Sequence, residues 1–118
     1  MTQDLCSMVV GLHDNITSVV LVNDGSITQW SAKPGAKMPG HRQMEGTAFQ
    51  QLIMASVAEA RQDLGKVHFS LVRYDDSDVL LFSLPAKDAS LLIVSVRRPY
   101  VLDSLVGKIM SITDGIIG

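Results

Sequence analysis

The sequence predicts an α+β fold, one antiparallel sheet with helices on both faces, in the order α-ββ-α-βββ-α. Three observations lead there. Residues 67–74, 79–84 and 90–96 are strand-like, and the links Asp75-Asp76-Ser77 and Pro85-Ala86-Lys87-Asp88 are too short for a helical crossover, so these strands are antiparallel neighbours. The runs Val19-Val20-Leu21-Val22, Val79-Leu80-Leu81-Phe82 and Leu91-Leu92-Ile93-Val94 are apolar on successive residues, the pattern of strands buried on both sides. Three further segments repeat apolar residues at helical spacing and can supply the cover.

The elements follow in order. Leu5, Met8, Val9 and Leu12 mark a short amphipathic helix over 3–13. Residues 16–22 form a β-branched run, Asn23-Asp24-Gly25 turns the chain, and residues 27–32, with Trp30, return it as a hairpin. Two prolines and two glycines make 33–44 a loop. Thr47 caps a second helix over 48–64 with Gln50 reaching back, and Gly65 ends it. After the three strands, Pro99 opens a third helix over 99–114, with Val101, Leu102, Leu105, Val106, Ile109 and Ile112 as its apolar stripe and Gly115 as its stop.

Composition narrows the function classes. At 118 residues the chain is one domain, 1–118, with enough length for a core of its own. A single cysteine, Cys6, excludes an internal disulfide framework. Ten basic against 12 acidic residues give a net charge of -2, so no global basic field binds nucleic acid. No segment reads as a membrane span or a signal peptide, and the expected location is cytoplasmic. There Asn15-Ile16-Thr17 is a chance glycosylation pattern. Charged residues are 19% of the chain, below the usual level of about 25%, which points to a buried interface and an oligomer.

The second helix carries the sharpest signal. Phe49, Leu52, Ile53, Val57, Ala60 and Leu64 share the face that packs on the sheet. The opposite face, where lysine and glutamate belong if water covers it, holds Gln51, Ala55, Ala58 and Gln62 with Met54 beside them. Small uncharged residues let a second backbone approach, and glutamines bond across a half-buried seam. The alternative is an exposed helix built from good helix formers. His68, Ser70 and Val72 extend the same seam if their strand is an edge.

Catalytic and metal-binding patterns do not emerge. Gly65-Lys66 and Gly107-Lys108 lack the rest of a phosphate loop, and His13, His41 and His68 are dispersed without cysteine companions. Cys6 reads as a small buried apolar residue. Asp75, Asp76 and Asp78 lack calcium-loop spacing and read as a polar hairpin tip. Arg97-Arg98 with Lys87 form a small basic spot. No cofactor or metal is expected, and no enzyme activity.

The element order, the hairpin VVLVNDG, and the helix AFQQLIMASVAEARQDLG followed by VHFSLVRYDDSDVLLFSL resemble the roadblock family of dynein light chains and their small bacterial and archaeal relatives. The resemblance covers nearly the whole chain. It implies a five-stranded sheet of order 2-1-5-4-3, with the central helix on one face and the terminal helices on the other. It implies a homodimer, or pairing with a related roadblock subunit, through the third strand and central helix. It also implies a non-catalytic platform for a small Ras-like GTPase or an adaptor subunit. Gln51, Gln62, Lys37 and Arg42 are the candidate partner-facing residues. The competing reading is a PAS-type or profilin-like sensor or interaction domain, with a pocket between sheet and helix to which Ser70 and Ser83 would contribute.

Overall fold

The computed structural model describes residues 4–23, 26–36, 62–64, 68–84 and 90–117. Helix α1 spans Leu5–Val10, followed by strands β1 (Ile16–Asn23), β2 (Ser26–Ala32), β3 (Ser70–Arg73), β4 (Ser77–Leu84) and β5 (Ser90–Arg97), and helix α2 (Leu102–Ile117) closes the order. The strands form one antiparallel sheet in the order β2-β1-β5-β4-β3, as the resemblance implies. The second helix expected over 48–64 lies outside the described residues, except for a short 3-10 turn at Gln62–Leu64.

Register explains why the central strands are apolar on every residue. Leu21 pairs with Leu92 and Val19 with Val94 on one face, while Val20 pairs with Ile93 and Val22 with Leu91 on the other. β4 continues both rows: Leu80 and Phe82 oppose Val94 and Leu92, and Leu81 opposes Ile93. The first face packs with Leu5, Cys6 and Val9 of α1 and Leu105, Val106 and Ile109 of α2. The second face forms a separate buried cluster of Val20, Val22, Leu81, Leu91 and Ile93, joined by Ile27, Val72 and Val79. Both faces are therefore dry at the middle of the sheet.

Asn23 pairs with Ser26, so two residues join β1 to β2. The ladder shifts between Leu21 and Val22, which oppose Gln29 and Ile27 and leave Thr28 over as a bulge. The Thr28 hydroxyl serves that irregularity by accepting from Asn23 Nδ2 at 2.7 Å.

The helices differ from the sequence reading at their ends. α1 has six residues rather than the eleven of 3–13. The Asp4 carboxylate accepts the Ser7 N–H at 2.7 Å and fixes the start, and the His13 ring nitrogen accepts the Asn15 N–H at 2.9 Å to turn the chain into β1. α2 begins at Leu102, not at Pro99, with the Leu105 N–H donating to Val101 O at 3.0 Å. Residues 98–100 instead form a corner whose side chains serve the hairpin described below. Gly115 does not stop α2, which runs on to Ile117. A helical glycine costs about 1 kcal/mol and ends a helix only where the chain takes a left-handed turn. β3 is likewise shorter than the expected 67–74: among the described residues Ser70–Arg73 pair with β4, and residue 67 lies outside them.

Candidate functional site

The described part of the predicted seam is the β3 side of the sheet. β3 is the terminal strand, paired only with β4 among the described residues. Ser70 and Val72 lie opposite Leu81 and Val79, which puts both on the face of the second apolar cluster. Both are half-buried, and His68, just before the strand, is exposed. Gln62 is the first residue of the 3-10 turn, whose Leu64 is exposed. Gln51, Met54, Ala55 and Ala58, and the loop candidates Lys37 and Arg42, lie outside the described residues.

What holds this edge in place is a charge cluster that sequence reasoning divided between a polar hairpin tip and a basic spot. The structure takes Asp78 out of the first and Arg98 out of the second, while Lys87 lies outside the described residues. Asp78 is completely buried although it stands next to the hairpin turn. Arg73, its partner across the β3–β4 ladder, donates Nε to one carboxylate oxygen and Nη2 to the other, both at 2.9 Å. Arg98 Nη1 donates to Oδ1 at 2.5 Å, and the Tyr100 hydroxyl donates to Oδ2 at 2.6 Å. The fork of Arg73 and the corner of 98–100 thus saturate the carboxylate from opposite sides.

Arg98 reaches further. Its Nη2 donates to the carbonyls of Tyr74 and Asp75, at 3.1 and 2.5 Å. The Tyr74 N–H donates to Ser77 O at 2.8 Å and closes the turn. Asp75 and Asp76 are the exposed tip that the sequence suggested, but Asp78 belongs to the interior. A cross-strand signal was present, because an arginine and an aspartate five apart about a two-residue tip fall opposite one another. The contribution of Arg98 and Tyr100, 20 and 22 residues away, has no local signature.

The electrostatics suit a structural role. The Arg73 hydrogen bonds hold the Asp78 carboxyl well below the usual carboxylate range, against the opposing effect of burial, with Tyr100 and Arg98 adding to the shift. A carboxylate that carries four donated hydrogen bonds is a poor proton acceptor. Tyr100 is pushed up to about 12, first by burial and then by its bond to Asp78. Cys6 is completely buried in the core, and its thiol is pushed up to about 12, by burial first and then by the Asp4 charge. Among the described residues, no group of three or more His, Cys, Asp or Glu side chains is arranged to hold a metal ion. Nor is any described helix long and apolar enough to cross a membrane.

Of the two serines considered for a sensor pocket, Ser83 is exposed and Ser70 sits on the edge strand. They lie on β4 and β3 respectively, with Ser70 opposite Leu81 and Ser83 opposite Leu91 of β5.

No protein-family model matches the sequence, and no curated protein matches it significantly. Solved structures do match. A roadblock/LC7 domain from Streptomyces avermitilis is similar with a TM-score of 0.73 at 19% identity, over 95% of this chain and 91% of that one. MglB from Myxococcus xanthus gives 0.74 at 13% identity, over 96% and 89%. An MglB described in a tetrameric arrangement gives 0.65 at 10% identity, over 94% and 86%. These identities speak for architecture alone, and the architecture agrees with the sheet order and element sequence above: the chain has the fold of the roadblock family.

Proposed function

We propose that the protein is a non-catalytic scaffold or regulator that works as a dimer, and that its partner is a small Ras-like GTPase or a larger assembly in which it serves as an adaptor subunit. One observation carries the reading: the strand bearing Ser70 and Val72, with His68 just before it, is a sheet edge among the described residues, the position at which a second copy adds main-chain hydrogen bonds. The charge-poor helix face of Gln51, Met54, Ala55, Ala58 and Gln62 is proposed to pair across the same two-fold axis. Lys37 and Arg42 are proposed to face the partner. A pre-formed dimer surface binds at low ordering cost and acts by favouring one conformation of what it binds. The MglB reported in a tetrameric arrangement supports self-association as a property that this fold can carry.

Light scattering of the purified chain at micromolar concentration tests the dimer. The expected mass is twice 12.8 kDa, and Ala55→Glu is expected to halve it with the circular dichroism spectrum unchanged. A monomeric wild type, or a mass indifferent to Ala55→Glu, overturns the interface. The partner class is tested separately, by titrating a purified Ras-like GTPase loaded with GDP or GTP. A preference between the two nucleotide states supports a regulator, and absence of binding to either removes the GTPase from the proposal.

A further inference from the structure

The four hydrogen bonds on Asp78 come from two parts of the fold. Arg73 belongs to β3 itself, whereas Arg98 and Tyr100 stand beyond β5, at the corner before α2. The carboxylate sits on β4, which pairs with β5 along eight residues. If β3 leaves β4 and takes Arg73 with it, Asp78 keeps Arg98 and Tyr100. A buried carboxylate with one partner has no such freedom, because losing that partner leaves its charge uncompensated. The Arg73 side chain is 63% exposed, so its own charge enters water at little cost.

The rest of β3 is lightly held. Ser70, Leu71 and Val72 are half-buried and Arg73 is exposed, whereas β4 beside them buries Asp78, Leu80, Leu81 and Phe82. Just ahead of the strand, the Phe69 ring stacks on Phe82 with centroids 6.0 Å apart. Phe69, Leu71 and Arg73 share one face, so the stack and the fork grip the strand at its two ends. The turn that follows is fastened from elsewhere: Arg98 Nη2 donates to the carbonyls of Tyr74 and Asp75.

We propose that β3 is a hinged edge strand: residues 69–73 swing off β4 about the turn at Tyr74 and Asp75, with Arg73 as the latch. Arg98 and Tyr100 keep Asp78 satisfied while the strand is away, and Arg98 holds the pivot. The inference rests on the dimer reading above and adds a means of regulating it. Only the latched strand offers a continuous edge to a second copy, so the fork of Arg73 on Asp78 sets dimer affinity through the fraction latched. Both lie on the face opposite Ser70 and Val72, so dimer strength changes without a change in those seam residues.

Hydrogen exchange read by mass spectrometry tests the hinge, in the full chain carrying Ala55→Glu so that no second copy covers the edge. The protected amides of 70–73 are expected to exchange faster than those of β1 and β5, and to depend less on dilute urea, the mark of a local opening. Arg73→Gln is expected to speed them about tenfold, the loss of a charge-assisted pair. Phe69→Leu is expected to act in the same direction. Val9→Ala, which weakens the fully buried contact of α1, is expected to speed β1 and β5 and leave 70–73 unchanged. Exchange of 70–73 no faster than in β1 and β5 overturns the hinge, and so does indifference to Arg73→Gln. The coupling is read in a dilution series of the chain with Ala55 intact. Arg73→Gln together with Phe69→Leu is expected to raise the dimer dissociation constant by about threefold or more, and an unchanged constant overturns the coupling. A wild type that never dimerises overturns the dimer reading and the coupling together, while the hinge stands or falls by exchange. Circular dichroism establishes that the variants remain folded.

Discussion

At the scale of single residues, Asp78 has the largest consequences. Its carboxyl is depressed in the folded chain, so its contribution to stability is fully present above the unfolded-state value of about 3.9 and is lost as pH falls below it. Asp78→Asn is expected to lower stability at neutral pH by about 2 kcal/mol, because two guanidinium groups lose their counter-charge, and to flatten the acid limb in urea titrations. Tyr100 has the opposite sign. Its folded value, about 12 against the ordinary 10.0, means its contribution holds below pH 10 and is lost between 10 and 12. Tyr100→Phe is expected to remove the part of the alkaline loss in that window that Tyr100 causes, followed by denaturation at a series of pH values. Cys6 is expected to resist a thiol reagent at about pH 8 in the native protein and to react once the chain unfolds, since only the thiolate attacks. Burial of Cys6 was legible from its place among Leu5 and Val9. Burial of Asp78 was not, because composition places an aspartate beside Asp75 and Asp76 in solvent, and only the fold brings Arg98 and Tyr100 to it.

At the scale of elements, periodicity located the described helices and strands, and chain ends obeyed local hydrogen bonding instead. The five strands and both terminal helices were readable from runs such as 19–22 and 91–94. Their limits were not, since Asp4 as a cap and the 98–100 corner depend on what those side chains meet. α1 shows how a six-residue helix persists: it is too short to be stable alone and is held by one cap and by Leu5, Cys6 and Val9 in the core. Asp4→Ala is expected to cost about 1 kcal/mol in chemical denaturation. Ile109→Ala, at the fully buried centre of α2, is expected to cost about 3 kcal/mol by the same measurement.

At the scale of the whole molecule, the sheet order was implied by family resemblance rather than by spacing, and the observed topology agrees with it. The helix face and loop that carried most of the candidate seam and partner residues lie outside the described part of the chain, so only His68, Ser70 and Val72 of that set are placed fully, side chain included. If the β3 edge joins two copies, His68→Glu, which adds an acid on each side of the two-fold, is expected to weaken the dimer severalfold in a dilution series, most strongly at low salt.

The two dry faces of the sheet leave a directional constraint. Among the described residues, a sheet buried on both faces through its centre leaves its two flanks without a strand neighbour, and these flanks are unequal: β2 offers seven residues and β3 four. Strand-to-strand growth of this molecule therefore runs sideways, as a ribbon one layer thick. Pairing the same flank of two copies about a two-fold axis stops that growth after a single step, whereas joining unlike flanks would let it continue without limit.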